Sequence, residues 1–542
     1  MSSRNRANRS DDGDPNIIYG GPLPSDFNRG CNSLGEFILR QLSEDLQKVA
    51  LISGFTALQI TNGAILDQSL ALASYLMDLG VIANDSVALI SENRFEYPVT
   101  IFACLYLGAR VTLLNPGYVE RELEHALRLT KPKVIFAAAS AYWASQKACA
   151  RIRLAARTIL FDKGARGLTF EKCLEDSNRQ LQLGSFVPAA VNIAEHVAFI
   201  VMSSGTTGLP KGVQITHRNV MSRFCFGWSF LNQPTSLAVD VLPWFHVAGG
   251  IAMLNSVVNG TCLVFLSKFN PRVYLGCIQK YRPTLLSMVP PIAIFLVKND
   301  LIRQYDLSSV KSIIVGAAPL SRNVEQLLKS SLQNVSICQV YGLSETTVGI
   351  LSQTGSENKP GSVGRIRIGQ WVKVIDPETG KTLGPNQRGE LCFKGTLVMK
   401  GYLGTVGVLD QDRWFHTGDL GYYDDDKDFY IVDRLKELIK YKAFQVPPAE
   451  LEAIILTHPK VKDAAVIGVP DERVGELATA YVVPGDGVEL KPQEIVKYVD
   501  GQVSQQKRLH GGVILIQEIP KTASGKILRK KLREMSKTKS KL

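Results

Sequence analysis

Ser203-Ser-Gly-Thr-Thr-Gly-Leu-Pro-Lys-Gly212 is the stretch of this 542-residue chain that says most about its fold and chemistry. Glycines let backbone N–H groups turn toward an anion and approach it closely. The hydroxyl side chains add donors that can follow a polyphosphate, and Lys211 adds a point charge. The apolar run Val197–Met202 precedes this glycine-rich loop. The combination predicts a site for a nucleoside triphosphate.

Two other interpretations of this loop stay open at this point. One is an ordinary polar surface loop, since short Gly/Ser/Thr segments are common. The other is a kinase-type phosphate loop, in which Gly-Lys-Ser/Thr opens a helix. Here Pro210 precedes the lysine and Gly212 follows it, so no hydroxyl stands where that motif holds magnesium.

Short β-branched runs alternate with helical patterns from about residue 70 to residue 340, which predicts doubly wound parallel sheets. Predicted strands in this region are Val87–Ile90, Ala109–Leu114, Val134–Ala137, Thr158–Phe161, Cys262–Phe265 and Ser312–Val315. From about 360 to 430, Gly and Pro turns separate short strands such as Val372–Gly380 and Gly389–Phe393, which indicates a small β-rich subdomain.

The domain organisation follows from these changes of pattern. A compact α/β segment and a basic end come after Asp433-Arg434, so we place a boundary near 434–437. The expected fold class is α/β, with a large N-terminal domain of two doubly wound sheets plus the β-rich subdomain, and a small mobile α+β C-terminal domain. The expected ranges are a disordered N-terminus at 1–16, the large domain at 17–434, the small domain at 435–535 and a flexible tail at 536–542.

Charge and composition exclude several classes of function. The formal net charge is +12, but the last 22 residues carry nine Lys/Arg against one acid, so most of the excess lies in the tail. No interleaved basic and aromatic stripe predicts nucleic-acid binding. The nine cysteines form no Cys-x-x-Cys pair and are expected to be reduced core residues. The polar N-terminus lacks the apolar region of a secretory signal, and no apolar run is long enough to predict a membrane span.

Four further segments carry polar chemistry, although each has an ordinary explanation when taken alone. Tyr341–Thr347 joins an aromatic ring, a carboxylate and three hydroxyls, but it also suits a turn at a strand end. Trp414–Asp419 ends in a carboxylate that suits the two hydroxyls of a ribose, but most Thr-Gly-Asp triplets are plain turns. Asp433-Arg434 suits a surface ion pair, and Lys521–Lys526 suits an exposed basic loop.

In this order and at these distances, the segments resemble the acyl-adenylate-forming superfamily. Its members include acyl-CoA synthetases, 4-coumarate–CoA ligases, peptide-synthetase adenylation domains and beetle luciferases. The resemblance covers roughly residues 20 to 530 and is nearest to the luciferase and coumarate-ligase branch. Besides the segments above, it rests on Gly316-Ala-Ala-Pro319, Asp433-Arg-Leu-Lys436, Lys440-Tyr-Lys442 and Ser524-Gly-Lys526.

The resemblance implies a two-step reaction. A carboxylate attacks the α-phosphate of ATP and expels pyrophosphate, and the thiol of CoA then displaces AMP from the acyl-adenylate to give a thioester. The implied cofactors are ATP, Mg²⁺ and CoA, and the implied substrate is a hydrophobic carboxylic acid, fatty or arylalkanoic.

The resemblance also implies roles for individual residues of the nucleotide site. The residues expected to hold the β- and γ-phosphates are Ser203, Ser204, Gly205, Thr206, Thr207, Gly208 and Lys211. Those expected to border the adenine are Gly316, Ala317, Ala318, Pro319, Tyr341 and Gly342. Glu345 is expected to coordinate Mg²⁺ and Thr346 to reach the α-phosphate, while Asp419 binds the ribose with Arg434 nearby.

The implied catalytic lysine is Lys526, which bridges the carboxylate and the α-phosphate during adenylation. Members of the superfamily rotate the small domain between half-reactions, and the matching pivot here is Lys436. Rotation would replace Lys526 by the segment that holds Lys442 and Ala443. The superfamily usually has glycine at the latter position, beside the pantetheine arm, so the extra methyl group of Ala443 is expected to crowd the path of CoA.

The acyl site is expected near His246, at the mouth of the pocket. Beetle luciferases place an aromatic residue two positions after this histidine, where this chain has Ala248. With Gly249 and Gly250 following, the pocket floor is expected to be open and apolar. Efficient light emission is therefore not expected, although weak luciferase activity stays open.

The chain ends in Ser540-Lys541-Leu542, which matches the peroxisomal import signal. The sequence thus predicts an import receptor as a partner and the peroxisome as the location. The leading function is an acyl-CoA ligase. The alternatives are luciferase-like oxidation of an adenylate, a peptide-synthetase-like adenylation protein, and a non-catalytic acyl or nucleotide binder.

Overall fold

The structure is a computed structural model that describes residues 13–163, 167–177, 181, 183–203, 210–225, 237–318, 320, 322–332, 335–354, 358–442, 444–522 and 525–539. The first third of the chain forms β1 (Ile18–Tyr19), α1 (Leu34–Ser43), β2 (Val49–Ser53), β3 (Gln59–Thr61), α2 (Asn62–Asp78), β4 (Ser86–Ile90), α3 (Glu96–Tyr106), β5 (Arg110–Leu114), α4 (Glu120–Thr130), β6 (Val134–Ala137), α5 (Ala139–Ile152), β7 (Arg157–Leu160) and α6 (Phe170–Glu175). The middle forms β8 (Val197–Ser203), β9 (Lys211–Thr216), α7 (His217–Phe224), β10 (Leu237–Asp240), α8 (Val247–Val258), β11 (Cys262–Phe265), α9 (Pro271–Tyr281), β12 (Leu285–Met288), α10 (Pro290–Lys298), β13 (Ser312–Val315), α11 (Arg322–Ser331), β14 (Ser336–Leu343) and β15 (Val348–Ser352).

The remainder forms β16 (Arg365–Ile366), β17 (Gln370–Ile375), β18 (Gly389–Gly395), β19 (Gly401–Tyr402), β20 (Phe415–Tyr423), β21 (Phe429–Arg434), β22 (Ile439–Tyr441), β23 (Phe444–Val446), α12 (Pro448–Leu456), β24 (Val461–Asp471), β25 (Gly475–Pro484), α13 (Pro492–Asp500), β26 (Val513–Leu515) and α14 (Arg529–Lys539). Short 3₁₀ segments lie at Asp300–Gln304, Ser344–Thr346 and Gln505–Lys507.

A seven-stranded sheet, in the order β19-β9-β8-β5-β4-β6-β7, forms the first half of the large domain. Its strands run parallel from β8 to β7, and β8 and β9 form an antiparallel hairpin at one edge. The central strands β4, β5 and β6 are almost entirely buried because helices cover both faces of a parallel sheet. The glycine-rich loop joins the two strands of the edge hairpin.

A nine-stranded sheet, in the order β16-β15-β14-β13-β12-β10-β11-β2-β3, forms the second half. Its strands run parallel from β14 to β2, and antiparallel strands close both edges. Loops that follow parallel strands meet at one edge of each sheet, where α/β proteins build ligand sites. The predicted pair of doubly wound sheets is confirmed.

The third layer is an antiparallel sheet, β1-β17-β18-β20-β21, built mainly from the region predicted to be β-rich. Sheet membership changes between Arg434, the end of β21, and Ile439, the start of β22. The C-terminal sheet has the order β23-β22-β25-β24, with β26 paired to β25. Alternate residues of β24 point to opposite faces, so Val466 packs with α12 and α13 while Ile467 packs with Leu532 of α14.

Two expectations about the chain as a whole are also met in the described residues. All nine cysteines are free thiols, and seven of them are buried. In the part of the chain that the structure covers, no helix combines the length and apolar character needed to cross a bilayer.

Candidate active site

The arms of the glycine-rich loop are fixed by the edge hairpin. Ser203, at the end of β8, lies directly opposite Lys211, at the start of β9. Because Lys211 begins a β-strand rather than a helix, the loop does not have the architecture of a P-loop. Five of the predicted phosphate-binding residues lie outside the described residues: Ser204, Gly205, Thr206, Thr207 and Gly208.

The predicted magnesium ligand, Glu345, lies on the 3₁₀ turn that follows β14 and is 7% exposed. Its Oε1 atom accepts hydrogen bonds from Ser203 Oγ and from the Tyr402 hydroxyl, both at 2.8 Å. The start of the turn requires glycine, because a Cβ on Gly342 would lie 1.5 Å from the carbonyl oxygen of Val348. The turn thus delivers Glu345 to the base of the glycine-rich loop.

Thr346 does not fit the role predicted for it. Its side chain is fully buried, and its hydroxyl accepts from the Leu343 N–H while lying within hydrogen-bonding distance of the Leu343 and Val348 carbonyl oxygens. The hydroxyl therefore stabilises its own turn and cannot reach an α-phosphate. Ser344, on the same turn, is the partly exposed hydroxyl.

The predicted ribose carboxylate, Asp419, joins three strands of two sheets. Its Oδ2 accepts a hydrogen bond from the Tyr341 hydroxyl at 2.6 Å, and its Oδ1 lies 3.1 Å from Nε of Arg434, its cross-strand partner. Burial raises the pKa of Asp419, while Arg434 and the Tyr341 hydroxyl oppose that rise. The same burial, with the Asp419 charge, holds the pKa of Tyr341 well above its usual range, so the phenol keeps its proton.

The predicted adenine segment follows β13 and lies beside β14. A Cβ on Gly316 would lie 3.2 Å from the carbonyl oxygen of Val340, which leaves little room there for a side chain. Ala317 has a left-handed backbone with φ +71°, a conformation that costs energy for a residue other than glycine. Ala318 is exposed and Pro319 lies outside the described residues.

Lys526 comes from the C-terminal domain but interacts electrostatically with the nucleotide site. Burial and the Arg434 charge lower its pKa, against the opposing effect of Asp419 and Glu345. The hairpin that carries it packs on the large domain, since a Cβ on Gly525 would lie 3.2 Å from the ring of Pro291. Lys526, from a C-terminal loop, thus acts on Glu345, Asp419 and Arg434, which belong to two sheets of the large domain.

His246 lies at the N-terminus of α8, close enough to this group for Lys526 to act on it. Burial, and secondarily the Lys526 charge, lower the pKa of His246 to about 4, so the imidazole is neutral near pH 7. Gly249 and Gly250 are explained by close packing, because Cβ atoms on them would lie 2.3 Å from the Pro243 oxygen and 2.8 Å from the Trp244 oxygen. Ala248 is partly buried, and the assignment of all three residues to an acyl pocket stays a prediction.

The residues predicted for the second half-reaction lie in the segment that follows Arg434. Lys436 is exposed between β21 and β22. Lys442 has φ +54° in the two-residue turn between β22 and β23, and its N–H donates to the Val474 oxygen at 2.6 Å. Ala443 and the terminal Ser540, Lys541 and Leu542 lie outside the described residues.

Two residues that sequence reasoning missed belong to the site region. Tyr402 donates to Glu345, and Asn93 hydrogen-bonds the backbone on both sides of Pro243, three residues before His246. Asn93 stands in the polar run Ser91-Glu-Asn-Arg94, which carries no pattern that distinguishes it from an ordinary loop. The only sequence signal for Tyr402 is Gly401-Tyr402 after the β-rich region, which would have predicted no more than a turn and a short strand.

The donor set fits a hard divalent cation. Magnesium prefers carboxylate, phosphate and water oxygens in octahedral geometry. Glu345 offers a buried carboxylate whose Oε1 is held by two hydroxyls, while its Oε2 accepts no hydrogen bond from the described residues. Glu345 Oε2, together with the phosphate oxygens of a bound nucleotide, would supply such ligands.

Comparison with known proteins agrees with this geometry. The family model for AMP-binding enzymes matches residues 39–403, and the model for the C-terminal domain of AMP-binding enzymes matches residues 450–526. The luciferin 4-monooxygenase of Photuris pensylvanica is 38% identical, over 98% of this chain and 100% of its own length. 4-Coumarate-CoA ligase 1 of Narcissus pseudonarcissus is 35% identical, over 95% of this chain and 96% of its own length.

A solved structure shares the fold along nearly the whole chain. ATP-bound MatB from Rhodopseudomonas palustris superposes with a TM-score of 0.84 at 26% identity, covering 93% of this chain and 99% of that protein. A likeness over this share of the chain extends into both domains.

Proposed function

This chain belongs to the AMP-binding enzyme family of adenylate-forming enzymes, and on that basis we propose that it is an ATP-dependent ligase that converts a hydrophobic carboxylic acid, fatty or arylalkanoic, into its CoA thioester. The observation that carries the proposal is the meeting of Lys526 with Glu345, Asp419 and Arg434. Glu345, Lys526 and the Asp419–Arg434 pair come from three separate segments, and burying two cations with two carboxylates costs desolvation energy.

The first step requires a carboxylate to approach a triphosphate, which is also an anion. Fixed cations and N–H donors in a cleft with little water lower that barrier by stabilising the charge that gathers on the α-phosphate. We assign this role to Lys526, whose charge acts on Asp419, and we assign the departing pyrophosphate to Lys211, at the arm of the glycine-rich loop. Bound Mg²⁺ would supply further positive charge to the phosphates, held by Glu345.

The neutral His246 suits the acyl side of the site. An uncharged imidazole at the mouth of an apolar pocket can donate one hydrogen bond to the substrate carboxylate without competing with Lys526 as a second cation. A rigid donor at this point would orient the attacking oxygen toward phosphorus.

The second step is proposed to be transfer to CoA, which the similarity to a 4-coumarate-CoA ligase supports. The competing candidate is oxidation of the adenylate, which the similarity to a luciferin 4-monooxygenase supports to the same degree. We favour thioester formation because Ala248 replaces the aromatic residue expected two positions after the pocket histidine in luciferases.

The test is acid-dependent exchange of labelled pyrophosphate into ATP, with a panel of fatty and arylalkanoic acids, followed by AMP and thioester formation with and without CoA. The expected result is exchange with at least one hydrophobic acid and thioester only when CoA is present. Exchange with oxygen uptake and no thioester would favour oxidation, and no exchange with any acid would overturn the proposed function. Lys521→Ala is the control for variants of Lys526. It removes a lysine from the same loop, but one that pairs with Asp463 outside the site.

For location, the proposal is peroxisomal import through Ser540-Lys541-Leu542. An N-terminal fluorescent fusion should enter peroxisomes, and deletion of the three residues should leave it in the cytosol. Unchanged import after the deletion would contradict the proposal.

A further inference from the structure

A tyrosine outside the predicted motifs lies between the two charged groups that would hold the metal and the phosphates. Tyr402 stands on β19, which pairs with β9 so that Tyr402 lies opposite Val213. Residues two apart on a strand share a face, so Lys211 lies on the same face as Val213 and diagonal to Tyr402. Ser203, opposite Lys211, completes a face of three side chains at the edge of the seven-stranded sheet.

The tyrosine uses both ends of its side chain at this place. Its hydroxyl donates to Glu345 Oε1 at 2.8 Å, and its ring carries the Lys211 ammonium at 4.6 Å from the ring centroid. One side chain thus contacts the predicted metal ligand and the predicted phosphate ligand at once.

We infer that Tyr402 is a positioning residue for MgATP, with its hydroxyl orienting Glu345 toward the metal and its ring orienting Lys211 toward the β- and γ-phosphates. The inference rests on the proposed function, since it assumes that ATP is bound here. Ser203 and Tyr402 occupy Oε1 of Glu345, which directs Oε2 toward a cation. Without the Tyr402 hydroxyl, the carboxylate has one donor fewer to fix its orientation, and part of the ordering cost falls on metal binding.

The two functions of the side chain can be separated by substitution. Tyr402→Phe removes the hydroxyl and keeps the ring under Lys211, whereas Tyr402→Leu removes both. Ser203→Ala removes the other donor to the same oxygen. Tyr430→Phe is a matched control, because the Tyr430 hydroxyl donates to a carboxylate, Asp424 Oδ2 at 3.2 Å, outside the site.

The measurement is the dissociation constant of ATP by titration calorimetry without a carboxylic acid substrate, once with EDTA and once with saturating Mg²⁺. In Tyr402→Phe, the factor by which Mg²⁺ lowers the dissociation constant of ATP should become about tenfold smaller, which is the scale of one hydrogen bond to a charged group. The dissociation constant without metal should change less than about twofold. Ser203→Ala should also reduce the effect of Mg²⁺ on the dissociation constant of ATP. Tyr402→Leu should also weaken metal-free binding by about three- to fivefold through loss of the cation–π contact.

Three outcomes would overturn the inference while leaving the proposed function intact. One is an unchanged effect of Mg²⁺ in Tyr402→Phe. Another is an equal loss of metal-free and metal-bound affinity in that variant, which would mark a general structural role. The last is a loss of the Mg²⁺ effect on ATP affinity in Tyr430→Phe that is as large as the loss in Tyr402→Phe. A wild-type protein that binds no ATP would instead overturn the proposed function, and the inference with it.

Discussion

The side-chain amide of Asn93 and the backbone of Trp244 are joined by a hydrogen bond, with the Trp244 N–H donating to Asn93 Oδ1 at 2.8 Å. The Nδ2 group of Asn93 donates to the carbonyl oxygens of Leu242 and Leu266 at 2.9 and 3.1 Å. Asn93 follows β4 of the seven-stranded sheet, whereas its partners follow β10 and β11 of the nine-stranded sheet. One buried amide therefore links the two sheets and fixes the segment that leads to His246.

Asn93→Ala should lower both stability and adenylation. Three buried backbone groups lose their partner, and each unsatisfied group costs about 1–3 kcal/mol. We expect the thermal unfolding midpoint to fall by several degrees and pyrophosphate exchange to slow, because His246 is held less firmly. Asn93→Asp keeps the acceptor for Trp244 but places a buried carboxylate oxygen against the Leu242 and Leu266 carbonyl oxygens, so it should not restore either property. Asn259→Ala, at the C-terminus of α8, controls for loss of an amide, and equal effects at the two sites would contradict the special role of Asn93.

Lys526→Ala should separate the two half-reactions. Loss of one donor to the transition state slows reactions by about 10²–10³, and we expect adenylation to fall by that factor. Thioester formation from supplied acyl-adenylate should persist, since the role proposed for Lys526 belongs to the first step. The two rates are measured by pyrophosphate exchange and by CoA-dependent release of AMP. Equal loss in both would show that the assignment of Lys526 to adenylation is wrong, whereas Lys521→Ala should leave both rates near wild type.

Gly342→Ala should damage the site through the backbone. The added methyl group would lie 1.5 Å from the Val348 oxygen, so the chain between β14 and β15 must move, and Glu345 with it. We expect a loss of soluble, folded protein, or an exchange rate reduced at least about 10²-fold, the scale for a catalytic constellation misplaced by about 1 Å. Gly276→Ala, in α9 with open space around its Cβ, is the control and should stabilise by roughly 1 kcal/mol. Wild-type activity in Gly342→Ala would refute the geometry of this turn.

Asp240→Asn should change how stability depends on pH. Burial raises the pKa of Asp240 from 3.8 to about 7, so the folded chain holds this proton more tightly than the unfolded chain. Its contribution is complete below pH 3.8 and is lost as pH rises toward 7, which costs on the order of 4 kcal/mol. The unfolding midpoint of Asp240→Asn should therefore fall less than that of the wild type between pH 5 and pH 8. Asp486→Asn, at an exposed carboxylate, should follow the wild type, and identical pH profiles for Asp240→Asn and wild type would contradict the raised pKa.

Much of the fold could be predicted because fully buried parallel strands are short apolar runs with polar ends. The bounds of β6, β11 and β13 match the sequence prediction residue for residue, and β4, β5 and β7 match within one residue at each end. The edge strands β3, β16 and β19 were not predicted, because two or three residues with one covered face carry no period that a sequence can display.

The candidate site was predictable where its chemistry is concentrated in one segment. Glu345, Asp419, Arg434 and Lys526 were named from motifs, and the structure brings them together. Thr346 was misplaced because three hydroxyls in Ser-Glu-Thr-Thr look equivalent in a sequence, whereas the 3₁₀ turn decides which one points into the fold. Asn93 and Tyr402 act through contacts 149 and 57 residues away in sequence, and no local pattern reports such contacts.

The placement of Lys526 beside Arg434 has a consequence for the order of events. Two like charges share a cleft in which burial already disfavours the ammonium form, and Asp419 and Glu345 offset them. On the proposed function, a polyphosphate bound there would be held more tightly by this arrangement than by one with the lysine withdrawn. Thermodynamic reciprocity would then require the nucleotide to favour closure by the same factor, so ATP would act as the counter-ion that sets the orientation of the two domains.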